Sequence, residues 1–128
     1  MDTLRSVIAA ANSVLPGQQA PQNQTDPRWQ AIIAVAEFVP SDPDEVWAFA
    51  ARWGCSDDPD LREAIATCVL EHLLEHHFDR IFPQLDALAR RDGAFARTVQ
   101  LCWEFGDSET PTHSSMLRSL QRELRDAV

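Results

Sequence analysis

Apolar residues recur at helical spacing along most of the chain. Leu4, Val7, Ile8, Ala11 and Leu15 form a first stripe, with Thr3 as its cap and Pro16-Gly17 as its stop. Residues 16–25, PGQQAPQNQT, are polar, contain two prolines and read as a linker. Asp26-Pro27 opens a second helix on Trp29, Ile32, Ile33, Ala36 and Val39, ended by Pro40. Ser41-Asp42-Pro43 opens a third, with Val46, Trp47, Ala50 and Trp53 inward and Gly54 as its stop. The fourth and longest starts at Asp57 or Asp58, ahead of Pro59, and runs to about His77. A fifth spans 79–91 on Ile81, Phe82, Leu85 and Leu88, with Pro83 tolerable only near its first turn. A sixth covers 94–105, packing Phe95, Val99, Cys102 and Trp103 or Phe105. After GDSETPT, a last helix carries Leu117, Leu120, Leu124 and Val128 on one face. There is no β-alternation and no hairpin signal between alternating runs. The pattern predicts an all-α fold of about seven antiparallel helices. It predicts one domain over 1–128, in which a first helix at 1–15 joins a main body at 26–128 through the linker 16–25.

The helix starts repeat. SDPDEVWAFA at 41–50 and SDDPDLREAI at 56–65 share a polar cap, a proline, an acid and an amphipathic run. The stretch Asp58-Pro59-Asp60-Leu61-Arg62-Glu63-Ala64 resembles the start of the second helix in HEAT-type repeats, where a capping acid precedes a hydrophobe, Arg and Ala. The resemblance spans about residues 28–105. It implies a short α-solenoid that works by binding other macromolecules. The helix from Pro59 is long for such a repeat and the units are irregular, so a compact helical bundle is the alternative architecture.

Composition narrows the function. The 128 residues are 45% hydrophobic and 24% charged, a soluble mix large enough for one core. The longest apolar stretch, Ala31 to Ala36, is far short of a membrane span, and Val7–Ala11 after Asp2 makes a poor signal peptide. Cys55, Cys68 and Cys102 are odd in number and lack C-x-x-C spacing, as expected of reduced thiols in the cytoplasm. All eleven basic residues are arginine and tyrosine is missing, the usage of a GC-rich bacterial genome. A net charge of −9 argues against nucleic acid. The acidity is local: residues 41–79 carry Asp42, Asp44, Glu45, Asp57, Asp58, Asp60, Glu63, Glu71, Glu75 and Asp79 against Arg52 and Arg62.

One motif suggests chemistry. His72, Glu75 and His76 spell H-x-x-E-H, the pattern of inverted zincin proteases, in which two histidines hold zinc and the glutamate is the base. A third ligand is needed, and Glu104, Asp107 and His113 qualify only by residue type. On a wheel of about 100° per residue with Leu61 at zero, His72 falls at about 20° and His76 at about 60°, beside Ile65 and Cys68. That arc turns both imidazoles toward the core. A second apolar arc holds Ala66, Leu70, Leu73 and Leu74. His77 points elsewhere, into the turn that ends the helix. The chain shows no nucleophile elbow, P-loop or dinucleotide fingerprint.

Asp42, Asp44, Glu45, Asp57, Asp58, Asp60 and Glu63 fall at two adjacent helix starts, where carboxylates satisfy free N–H groups. Together they predict a negative edge able to receive a basic protein partner. Trp29, Trp47 and Trp53 lie on helical stripes, whereas a tryptophan left exposed beside that edge marks a binding hot spot. A small, acidic, motif-free chain has the profile of an immunity-type or adaptor protein. The expectation is a non-catalytic protein-binding module without cofactor, nucleic acid or membrane as partner. The alternative is a small zinc-dependent hydrolase using His72, Glu75 and His76.

Overall fold

A computed structural model describes residues 3–21, 23–103 and 110–126. Among these the fold is all-α, with no strand. The helices are α1 (Leu4–Val14), α2 (Pro27–Ala36), α3 (Pro43–Trp53), α4 (Pro59–Ile65), α5 (Glu71–Arg91), α6 (Gly93–Val99) and α7 (Pro111–Asp126). Proline opens four of them at the first helical position, where its missing N–H costs nothing. Thr3 accepts from the Ser6 amide at 3.2 Å, Asp26 from Arg28 at 2.9 Å and Asp58 from Asp60 at 2.9 Å, so three of the expected caps form. Asp42 makes no such bond and accepts from the Ser41 hydroxyl instead.

α4 and α5 form one long rod joined by a π-helical turn, Ala66–Leu70. This rod is central, with α2, α3, α6 and α7 packed along it and α1 packed on α2. Its inward side carries Leu61, Ile65 and Val69, then Leu70, Leu73, Leu74, Phe78, Ile81 and Leu85, all buried. At His77 the backbone leaves helical geometry (φ −141°, ψ 43°). The rod bends there, at the residue where the sequence places the end of one helix and the start of the next. The His77 imidazole donates to the Val39 carbonyl at 2.9 Å, tying the bend to the turn after α2.

Two expectations are corrected. The second stripe buries Ile32, Val35 and Val39, while Ile33 is exposed. The sixth helix ends at Val99 rather than 105; Trp103 leaves the core, and Phe105 and the last-stripe residue Val128 lie outside the described residues. No helix among the described residues is long and apolar enough to cross a membrane.

The polar heart of the fold is Arg28, 1% exposed on α2. Its guanidinium donates to Asp58 at 2.9 Å, to Asp60 at 2.7 Å and to the Gly17 carbonyl at 3.2 Å. The Trp29 indole also donates to Asp60, at 3.0 Å. One cation thus holds the linker, α2 and the start of α4 together. Across α3, the Trp53 indole donates to Asn12 at 2.8 Å and fixes α1 to the same chain's body.

Candidate functional site

The histidines do not turn inward. The His72 and His76 side chains are 51% and 49% exposed. The reason is the π turn. Its i→i+5 bonding places more residues in a turn than the α-helix does, so every later residue lags behind a uniform wheel. Beyond it the second arc of Leu70, Leu73 and Leu74 faces the core, and the arc of His72 and His76 faces out. Glu71 rotates inward instead and is 8% exposed. Its carboxylate accepts from the Trp103 amide at 3.1 Å, yet burial pushes its pKa above the ordinary carboxylate range.

Glu75 Oε2 lies 3.5 Å from His72 Nδ1 and 3.8 Å from His76 Nε2. One donor atom from each of the three residues falls within 4.8 Å of the others. His72 and His76 also line a cleft of about 350 Å³, together with Thr67 and Cys68 of the π turn and Ile33, Ala36, Glu37, Val39 and Pro40. Of the third-ligand candidates, His113 stacks on Phe78 at 4.0 Å and meets Asp79 at 3.1 Å, whereas Glu104 and Asp107 lie outside the described residues. The three donors that converge are those of the motif itself. The Glu75 carboxylate lies within reach of both imidazoles.

The seven acids of the expected edge divide. Asp58 and Asp60 are spent on Arg28. Burial raises the Asp58 pKa, but the Arg28 hydrogen bond and the backbone amides of Asp60 and Leu61 outweigh it and hold the carboxyl below its ordinary range. Asp44 pairs with Arg80, whose guanidinium likewise lowers its pKa. Glu45, Asp57 and Glu63 are exposed with no ion pair to a described residue, and Asp42 is half-buried.

Trp103 is 70% exposed, with Leu101, two positions before it, at 39%. Both line a concavity of about 420 Å³ whose other walls include Glu63, Thr67, Gln121 and Arg125. An acid of the expected edge and an exposed tryptophan therefore share one hollow. The sequence missed that meeting because Glu63 and Trp103 are forty positions apart. It also missed a hollow of about 680 Å³ lined by Arg90, Arg91, Arg97 and Arg125, since its arginines come from three helices.

Burial, with Asp92 next, pushes Cys55 up to about 11; burial also raises Cys68 and the fully buried Cys102. Comparison with protein families, curated proteins and solved structures finds no match to the chain.

Proposed function

We propose that this chain is a non-catalytic interaction module of the immunity or adaptor type, acting in the cytoplasm on a basic protein partner. The observation that carries the reading is Trp103, exposed in a hollow it shares with Leu101 and Glu63. A large aromatic beside an apolar side chain is the composition of an interface hot spot. A hollow lined by both the Glu63 carboxylate and the Trp103 indole suits an arginine or lysine, which gains an ion pair from the first and a cation–π contact from the second. The net charge of −9 adds long-range steering toward a basic surface. Within the acidic edge, Glu45, Asp57 and Glu63 are the members left to meet a partner.

Immobilised chain and lysate of the source organism test this. The wild type is expected to retain a basic protein that salt releases. Replacing Glu45, Asp57 and Glu63 together by Gln is expected to lower the salt at which it elutes. Retention that ignores both salt and these replacements contradicts the reading.

A further inference from the structure

His72, Glu75 and His76 stand on one exposed turn of α5, and partner binding as read above uses none of them. We propose that these three side chains bind a divalent transition-metal ion, of which zinc is the representative, at the mouth of the cleft between α2 and the π turn.

The argument begins with distances. Zinc bonds of about 2.0–2.1 Å at tetrahedral angles separate two ligand atoms by about 3.3 Å. The Glu75 oxygen is 3.5 Å and 3.8 Å from the two imidazole nitrogens, so two edges of the ligand triangle are close to that value already. The whole set fits within 4.8 Å. Both imidazoles are half exposed and need only small rotations to close the remaining edge. Two imidazoles and one carboxylate favour zinc and neighbouring transition ions over magnesium and calcium, which take mainly oxygen.

The backbone contributes rigidity and aim. Residues at i, i+3 and i+4 project from one helix face, so the donors need no loop to hold them. The π turn just upstream is what brings this face out of the core, and such turns concentrate at functional sites. Three protein ligands leave at least one coordination position open. Here the imidazoles also line the cleft walled by Ile33, Ala36 and Glu37, so an open position has room beside it. Glu75 acts as a ligand, which distinguishes this site from the hydrolytic use of the same motif.

The test is titration of the chelator-treated chain with zinc chloride by calorimetry, with histidine resonances followed by NMR. The account expects one zinc per chain, shifts confined to His72 and His76, and at least about tenfold weaker binding for His72→Gln, His76→Gln and Glu75→Gln. The side chains are exposed, so each variant should keep wild-type helicity and Tm without metal. Cys68→Ser should bind as the wild type does. No uptake at 100-fold excess of zinc over chain overturns the proposal. So does binding that survives in the His72→Gln/His76→Gln double variant or is lost in Cys68→Ser. Partner capture by the metal-free chain reads out separately, so either idea can fail alone.

Discussion

Arg28 carries a full charge in a nearly water-free position, and its stability rests on the carboxylates of Asp26, Asp58 and Asp60 and a carbonyl arranged around it. Removing the cation leaves Asp58 and Asp60 facing one another and frees the linker from α2. Arg28→Ala is therefore expected to cost about 3–5 kcal/mol in denaturant unfolding. A loss under about 1 kcal/mol would mean the network is surface decoration. Glu71 has the opposite character. A carboxyl with a raised folded-state pKa lends stability below its unfolded value and loses it as pH rises through the folded one. At pH 7 the ionised group therefore works against folding. Glu71→Gln keeps an acceptor for the Trp103 amide and should raise Tm at pH 7, with a smaller gain near pH 4; a lower Tm at pH 7 contradicts the burial cause. At this scale the sequence was only partly legible. It narrowed the α4 cap to Asp57 or Asp58, and Asp58 is the one that caps, because capping is local. It assigned Asp60 to a surface edge, because nothing local says that an arginine thirty-two positions earlier arrives beside it.

At the scale of elements, helix starts were legible and helix phase was not. Pro27, Pro43 and Pro59 mark starts that the structure reproduces, since proline and its preceding acid act within one turn. The wheel for the central helix failed at one place, the π turn of Ala66–Leu70, and the failure moved His72 and His76 from core to surface. Two apolar arcs were present on that wheel; packing chose between them, and local pattern could not. The junction of α3 with α6 shows how tight such packing is. A Cβ at Gly54 would stand 2.8 Å from the Ala50 carbonyl and 2.8 Å from the Phe95 ring. Gly54 also accepts the Thr98 hydroxyl at 2.6 Å, and Phe95 meets Trp47 edge to face at 5.8 Å. Gly54→Ala should then destabilise by about 1–3 kcal/mol, because a backbone oxygen and a packed ring must both shift. Unfolding midpoints of the two proteins measure it, and equal midpoints would show that the junction has slack.

At the scale of the molecule, much of the charge is spent in pairs. Asp58 and Asp60 neutralise Arg28, Asp44 pairs with Arg80, and Arg90, Arg91, Arg97 and Arg125 line one hollow, with Arg125 reaching the Trp103 hollow as well. The hollow beside Trp103 combines Leu101 with the Glu63 carboxylate, the amides of Gln100 and Gln121, and Arg125. The all-α class was legible from periodicity alone, whereas this surface needed the fold, which brings Glu63 of α4 to the chain beyond α6. The proposed activity depends on that meeting more than on the total charge. The most direct measurement is the Kd of the captured basic partner for wild type and Trp103→Ala, by calorimetry at fixed salt. The account predicts a loss of about 30-fold or more, the scale of a hot-spot truncation, with Tm unchanged. Equal affinity of the two proteins would contradict it.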